Sequence, residues 1–191
     1  FQAGTVQEVI RLAKARPGQL AYASSGNGSA QHLAGALFEV QAGVDLLHVP
    51  YKGGGPALND VMAGQVPLFF ANVASSLGHI QAGKLRPLAV TSARRARALP
   101  EVATLQEVGV AGYEVHEWNP ILAPAGISPS TKVVLQKALQ LALGDAEVLG
   151  RVRALSGEIF PSGSDQKLHE FLKQQKALWA RTVRERKIAV D

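Results

Sequence analysis

Short apolar runs and amphipathic stretches alternate along the first half of the chain. The apolar runs occupy residues 20–24, 45–51, 67–71 and 86–91. The stretches between them have helical periodicity, and three of them end in the same way, at Gly43, Gly64 and Gly83. Because the apolar runs are nearly continuous and lie roughly 20 residues apart, they predict a parallel sheet covered by helices on both faces. The predicted fold class is therefore α/β.

The helical stretches carry start and stop signals. Residues Thr5 to Glu8 have the form of a capping box, which predicts a helix that ends near Arg16. The second helix is predicted from about Ser29 to Ala42. Pro56 suits the first position of a third helix, and a fourth is predicted from about Val73.

Beyond residue 113 the pattern changes to an extended segment followed by helices. The predictions are an extended segment over 113–124, a helix over 129–143, a short helix capped by Asp145, a strand at 158–161 and a long helix capped by Ser164. These helices have too few strands beside them for a core of their own. Their apolar faces are therefore expected to be covered by sequence outside this chain or by another copy, or to remain exposed.

Composition removes several classes of protein. The chain has 191 residues, of which 47% are hydrophobic, 18% are charged and none is cysteine. Disulfide frameworks, thiolate nucleophiles and cysteine-ligated metal sites are therefore excluded. No apolar run approaches the ~20 residues of a membrane-spanning helix. The net charge of +5 is spread over both halves and aromatic residues make up only 6%, so nucleic acid is not an expected partner.

Residues 24–29 form the first candidate binding segment, between a predicted strand and a predicted helix. Their glycines let the backbone approach a ligand, and serine hydroxyls and N–H groups at a helix start attract an anion. A carboxylate or phosphate would suit this segment, but a tight turn without a ligand explains it equally well. It is neither a dinucleotide fingerprint, because Gln31 replaces the third glycine, nor a P-loop, because no Gly-Lys-Ser/Thr follows.

The second candidate segment contains three consecutive glycines, Gly53, Gly54 and Gly55. Such a run costs backbone entropy and is not needed for a simple crossover, so close approach of the backbone to a ligand is the favoured interpretation. Tyr51 adds a flat face and a hydroxyl, whereas Lys52 is interpreted as a solvated lysine. Both candidate segments follow predicted strands at the carboxyl edge, where open α/β sheets bind ligands.

Asn72 follows the third predicted strand at the same edge. Its amide can donate and accept, so it can contact the far end of a polar ligand. Capping the helix that begins near Val73 is an equally good explanation.

Few residues of the sequence support catalysis or metal binding. The five histidines lack H-x-x-x-H and H-E-x-x-H spacing, so no metal site and no cofactor are predicted. Ser25 or Ser29 could pair with His32 as a nucleophile and base, but no aspartate stands out as their third member. An α/β hydrolase that uses a serine of residues 24–29 is the alternative to a binding function.

Taken in order, five motifs of the sequence resemble those of a known family. They are SSGNGS at 24–29, HVPYKGGGPA at 48–57, LRPLAVT at 85–91, LPEVAT at 99–104 and LAPAG at 122–126. With them, the chain resembles the solute-binding receptors of tripartite tricarboxylate transporters, the TctC or Bug family. The resemblance implies a two-lobed periplasmic protein, and not an enzyme. Such a receptor captures a small carboxylate-bearing or amino-acid ligand between its lobes and delivers it to the membrane components of the transporter.

The resemblance also implies a division of the chain. Residues 1–114 would form the second ligand-binding lobe, and residues 115–191 would cross the hinge and complete the first lobe as a mainly helical return. The opening part of the first lobe and a signal peptide are expected to lie outside this chain. Self-association of the chain is then a further expectation. Carried over motif by motif, the ligand-binding residues would be Ser25, Asn27, Gly28 and Ser29 around one carboxylate, with Tyr51, Gly53, Gly54, Gly55 and Asn72 around the remainder.

Overall fold

A computed structural model describes residues 2–154, 157–159 and 165–189. Its elements, in chain order, are α1 (Val6–Ala15), β1 (Ala21–Ser24), α2 (Ala30–Ala42), β2 (Leu47–Pro50), α3 (Gly54–Met62), β3 (Leu68–Phe69), α4 (Val73–Gln81), α5 (Pro129–Gly144), α6 (Ala146–Ala154) and α7 (Asp165–Glu185). The predicted strand at 158–161 lies partly outside the described residues, and the predicted cap Ser164 lies wholly outside them.

The three strands form one parallel sheet in the order β2-β1-β3. The central strand β1 pairs along its whole length with β2, from Ala21 opposite Leu47 to Ser24 opposite Pro50. Because all three strands run the same way, the segments that follow them meet at one edge of the sheet. This arrangement confirms the predicted α/β class.

Neighbouring side chains of β1 point to opposite faces, and each face is covered. Tyr22 belongs to the larger apolar cluster, in which α1 and α2 contribute Val9 and Leu37. Ala23 belongs to a smaller cluster that contains Ala57 of α3. The sheet is thus buried on both sides, as its nearly continuous apolar strands predicted.

The predicted fourth strand, residues 86–91, is not part of the sheet. Instead, Val90 makes a single parallel bridge with Thr104. The amide of Val90 donates to Ala103 O at 2.9 Å, and that of Leu105 donates to Val90 O at 3.0 Å. The prediction was wrong because the apolar pattern of these residues reports their burial beside the core and not their hydrogen-bond partner.

The early helix starts and stops follow the local signals, with one difference. Both hydrogen bonds of the capping box between Thr5 and Glu8 are present. Ser29 caps α2, and Gly43 ends it in the left-handed conformation, at φ 61°. The third helix begins at Gly54, two residues before the predicted start at Pro56, because Gly53 adopts φ 111° and turns the backbone into the helix earlier.

The C-terminal helices differ in how well they are covered. Leu178 and Trp179 of α7 pack against the larger core cluster, and Thr182 is buried. α5 has no buried residue. Thus α7 finds a partner within the chain, whereas the face of α5 remains exposed. None of the helices in the described ranges combines the length and hydropathy that crossing a membrane requires.

Candidate functional site

Three loops converge at the carboxyl edge of the sheet. The loops after β1 and β2 are joined by two backbone hydrogen bonds, from Tyr51 N to Ser24 O at 3.0 Å and from Gly53 N to Ser25 O at 3.1 Å. The segment after β3 is joined to the other side of the β1 loop by Gln31, whose Nε2 donates to Asn72 Oδ1 at 3.2 Å. The nine predicted ligand-binding residues therefore lie in one connected region.

The loop after β1 satisfies most of its own donors. Gly26 N donates to Ser24 Oγ and Gly28 N donates to His32 Nδ1, both at 3.1 Å. The hydroxyl of Ser29 caps α2 by accepting from His32 N, and it donates to Gly26 O at 2.7 Å. The hydroxyl of Ser25 donates to Gln31 Oε1. The loop is thus a tightly turned, internally bonded wall, with Asn27 on its exposed side.

Tyr51 is oriented by α3. Its hydroxyl donates to Asp60 Oδ2 at 2.7 Å, and this hydrogen bond raises the pKa of the Tyr51 phenol. The hydroxyl is therefore engaged with Asp60, and the half-buried ring is left as the part of Tyr51 that a ligand can contact. Lys52 is exposed, as predicted.

The helices that start after β2 and β3 lack the side-chain caps that four other helices have. The helices α1, α2, α5 and α6 are capped by Thr5, Ser29, Ser128 and Asp145. By contrast, α3 starts after Gly53 and α4 after Asn72 without a side-chain hydrogen bond to the first turn. Asn72 stands at the cap position of α4, but its side-chain oxygen accepts from Gln31 instead.

The first N–H groups of a helix have no partner inside the helix, and the helix dipole places partial positive charge there. Two such helix starts, without side-chain caps, lie on either side of β1 at one sheet edge. A Cβ atom added to Gly54 or Gly55 would meet no atom within 4 Å. The glycines at the start of α3 therefore face open space and are not required by packing within this chain.

Five residues of this region are outside the predicted ligand-binding set: Ser24, Gln31, His32, His48 and Asp60. Ser24 Oγ lies 2.6 Å from His48 Nε2, and the rings of His32 and His48 stack with centroids 3.6 Å apart. Burial lowers the pKa of His32; burial and the neighbouring His32 lower the pKa of His48 to about 4. His48 begins one of the recognised motifs and His32 lies three residues after another, but their contact joins residues of different elements, which no local pattern predicts.

The geometry does not assemble a catalytic serine. His32 faces the Gly28 amide with Nδ1, and the Ser25 hydroxyl is bonded to Gln31. Ser24 contacts His48 but is fully buried, at 0% exposure. Across residues 2–154, 157–159 and 165–189, no group of three His, Cys, Asp or Glu side chains is placed to hold a metal ion.

A cavity of about 250 Å³ lies beside this region, between the first turn of α2, residues 115–119 and α7. Ala30 and Leu33 line it on one side, and Trp118 and Trp179 line it on the other. Both indole N–H groups donate to Gln175 Oε1, at 3.3 and 3.2 Å. None of the nine predicted ligand-binding residues lines this cavity.

Comparison with known proteins identifies the family. The model of the tripartite tricarboxylate transporter family receptor, TctC, matches residues 1–188. A UPF0065 protein of Pseudomonas sp. strain P51 is 35% identical over 179 residues, which are 93% of this chain and 53% of that protein. The chain thus spans about half the length of the curated relatives it matches.

Two solved structures share the fold. An R. palustris protein with adipate has a TM-score of 0.83 and 32% identity, over 99% of this chain and 63% of that one. The periplasmic binding protein BugD has the same TM-score and identity, over 98% of this chain and 63% of its own. The family model describes a receptor, and BugD is described as a periplasmic binding protein; a binding protein rather than an enzyme is what the sequence analysis predicted.

Proposed function

Because the chain belongs to the tripartite tricarboxylate transporter receptor family, we propose that it binds a small carboxylate-bearing solute at the carboxyl edge of its sheet. The observation that carries this proposal is the pair of helix starts without side-chain caps, those of α3 and α4, on either side of β1. Their unpaired N–H groups and dipoles favour negative charge. The adipate in the R. palustris relative supports the same chemistry.

The spacing of the two helix starts favours a ligand with two polar ends. They follow β2 and β3, which are separated by β1, so they lie about 10 Å apart at the usual strand spacing. A short dicarboxylate, or an amino acid with an acidic side chain, can place a charged group near each of them. Such a ligand would lie across the end of β1.

Each predicted residue has a role in this proposal. The N–H groups of Gly54 and Gly55 bind one carboxylate, with Gly53 setting the turn that exposes them. Asn72 binds the other end through its amide, and the ring of Tyr51 contacts the apolar body of the ligand. The wall of the site is formed by Ser25, Asn27, Gly28 and Ser29.

We extend the proposal to the whole receptor. Residues 1–114 act as one ligand-binding lobe, and residues 115–191 cross the hinge and contribute to a second. The receptor works in the periplasm, where it delivers its ligand to the membrane components of a tripartite tricarboxylate transporter. BugD, which is named as a periplasmic binding protein, supports this localisation.

The proposal is tested by titrating the ¹⁵N-labelled chain with adipate and following backbone amide shifts. We expect saturable shifts at Gly54, Gly55 and Ala74, with a dissociation constant of about 1 mM or weaker, because a few charge-assisted hydrogen bonds must offset the cost of association. Adipamide has the same length without charge and should cause no shifts. Equal responses to adipate and adipamide would contradict the proposal.

A pair of glycine variants localises the site. Gly54→Ala adds a methyl group where the ligand is proposed to approach, so it should weaken adipate binding at least fivefold. Gly78→Ala makes the same change inside α4, where the added Cβ also meets open space, and should leave binding unchanged. Undiminished binding by a folded Gly54→Ala chain would place the ligand elsewhere.

A further inference from the structure

Two imidazoles lie beneath the loop that follows β1. His32 comes from α2 and His48 from β2, and their rings are nearly parallel, with an interplanar angle of 11° and centroids 3.6 Å apart. The ring of Tyr22 lies 5.1 Å from that of His48. His32 is 8% exposed and His48 is half-buried, so the stack is partly removed from solvent. Neither residue is among those that contact the proposed ligand.

The contact that His32 makes identifies its protonation state. Gly28 N donates to His32 Nδ1 at 3.1 Å. A nitrogen that accepts a hydrogen bond carries no proton, so His32 is neutral with its proton on Nε2. Gly28 has φ 71°, so this bond fixes the amide of a residue whose backbone is otherwise free to move.

The contacts of Ser24 indicate the same tautomer for His48. Ser24 Oγ accepts from Gly26 N and lies 3.1 Å from Gly26 O, to which it donates. With its single proton directed to Gly26 O, we assign the donor of the 2.6 Å contact between Ser24 and His48 to His48 Nε2. His48 therefore holds Gly26 through Ser24, while His32 holds Gly28 directly.

We propose that His32 and His48 are positioning residues of this site, which as a stacked pair of neutral imidazoles hold the backbone of residues 24–29 in its ligand-receiving conformation. The inference rests on the proposed function, because it concerns the wall of the same site. It assigns the two histidines no contact with the ligand. Their effect passes through Gly26 and Gly28.

The surroundings of the pair favour the neutral forms. The titratable groups that face it are Tyr22 from β1 and the two histidines themselves, and neither imidazole has a carboxylate partner among the described residues. Burial lowers the pKa of His32; burial and His32 together lower that of His48 to about 4. A proton on His32 Nδ1 would also displace the Gly28 amide.

The sign of the pH dependence follows from these lowered values. An unfolded loop would protonate both histidines at their ordinary pKa of 6.5, whereas the ordered loop resists protonation until lower pH. Loop order is thus fully present above about pH 6.5 and is lost as the pH falls towards about 4. Each histidine changes the equilibrium constant between the ordered and the unfolded loop by up to about tenfold per pH unit. This change is confined to the pH range between its folded and unfolded pKa values.

Imidazole ¹⁵N spectra of the chain without ligand test the proposal directly. Long-range ¹H–¹⁵N correlations should show both histidines as neutral Nε2–H tautomers at pH 7, with His48 still neutral at pH 6 and His32 titrating below its ordinary pKa. Amide exchange at Gly28, corrected for intrinsic rates, should lose at least tenfold protection between pH 7.5 and 4.5, while the α2 amides of Leu37 and Phe38 stay protected. A proton on His32 Nδ1 at pH 7, or titration of His32 near 6.5, would overturn the proposal.

Three variants separate positioning from general stability. His32→Asn places an oxygen near the position of Nδ1 and cannot titrate, so it should keep Gly28 protection within about threefold and reduce its pH dependence. His32→Phe keeps a flat ring but no acceptor, so it should lower Gly28 protection about tenfold at pH 7.5. His79→Asn, at the far end of α4, is the matched control and should change neither. Unaltered Gly28 protection in His32→Phe would overturn the proposal.

These measurements need no ligand, so the two proposals can fail separately. If adipate does not bind but the tautomers and exchange behave as expected, only the proposed function fails. If adipate binds but the histidines titrate normally, only the positioning role fails. Should His32→Phe not fold, the wild-type imidazole spectrum still decides the outcome.

Discussion

The contact between Tyr22 and Gly35 shows how one residue sets the distance between sheet and helix. Tyr22 is fully buried at the centre of β1, and its hydroxyl donates to His32 O at 3.3 Å. Its ring lies against α2 at Gly35, where an added Cβ would be 2.2 Å from Tyr22 Cε2. Glycine is unfavourable inside a helix, so its presence here is explained by the space that the ring needs.

Gly35→Ala is therefore expected to destabilise the chain. The methyl group cannot fit without moving α2 or the Tyr22 ring, and overpacking of this kind should lower the free energy of unfolding by about 2 kcal/mol despite the better helix propensity of alanine. Urea unfolding followed by circular dichroism measures the change. Gly78→Ala, with open space at its Cβ, should be neutral or stabilising by up to about 1 kcal/mol. If both variants unfold at the same urea concentration, the contact with Tyr22 does not limit the size of the residue at position 35.

For the residues of the site, the sequence predicted their place in the fold better than it predicted their hydrogen-bond partners. Glycine-rich and serine-rich turns after apolar runs were sufficient to locate the loops. The same serine can face a ligand or cap a helix, however, and only the structure reveals that the Ser29 hydroxyl caps α2. Likewise, the bond from Tyr51 to Asp60 depends on how α3 packs against the loop. Long-range partners of this kind leave no periodic trace in a single sequence.

At the level of elements, local signals predicted most helices and the three strands of the sheet. Their success has a physical basis, because the capping box at Thr5 and the stop at Gly43 act within one helical turn. The strand predicted at 86–91 failed because pairing is decided by distant residues. The covering of α7 by α2 could not be predicted for the same reason.

The end of α7 is held to α2 and to the segment before β2 by Arg186. Its Nη2 lies 2.5 Å from Glu39 Oε1 and 2.7 Å from Asp45 Oδ1. Glu39 is only 4% exposed and also accepts from Leu46 N at 2.7 Å. Burial raises the pKa of Glu39, an effect that the Leu46 amide and Arg186 oppose. The ion pair thus compensates a buried charge inside the core.

Arg186→Met should lower the free energy of unfolding by about 2–3 kcal/mol at pH 7, because it leaves the Glu39 carboxylate buried without its cation. The pKa of Glu39 then rises further in the folded state. The folded variant then binds a proton on Glu39 more tightly than the unfolded chain does. The destabilisation is therefore largest above the pKa that Glu39 has in the folded variant, and it shrinks as the pH falls towards 4.5. Urea unfolding at pH 7 and pH 5 measures both effects.

Two controls accompany Arg186→Met. Arg181→Met removes an exposed i,i+4 pair with Glu185 on the same helix and should cost less than about 0.5 kcal/mol. In a Glu39→Gln background, which keeps an acceptor for Leu46 N but has no charge, Arg186→Met should cost little at either pH. A pH-independent loss in the wild-type background would show that Arg186 acts through packing alone.

On the scale of the whole molecule, one half of the described chain has a buried core, and the other half exposes apolar side chains to solvent. The buried core lies in residues 3–115, with α7 packed against it. The segment that follows residue 120 and helix α5 instead carry large apolar side chains that face solvent. They are Ile121, Leu122, Val133, Val134, Leu135 and Leu141, with exposures from 48% to 78%. Exposed apolar side chains in this number are unusual on a monomer and favour association.

The chain by itself should therefore self-associate or bind a hydrophobic dye through α5. We expect the mass from light scattering to rise with protein concentration, and ANS fluorescence to increase on addition of folded chain. Val134→Lys with Leu141→Lys should reduce both signals without lowering the thermal midpoint, since these side chains are 66% and 77% exposed. Gln136→Lys with Gln140→Lys adds the same charge to the same helix and should leave both signals in place. A wild-type chain that is monomeric at all concentrations and silent to the dye would show that the apolar residues of α5 do not act as one adhesive surface.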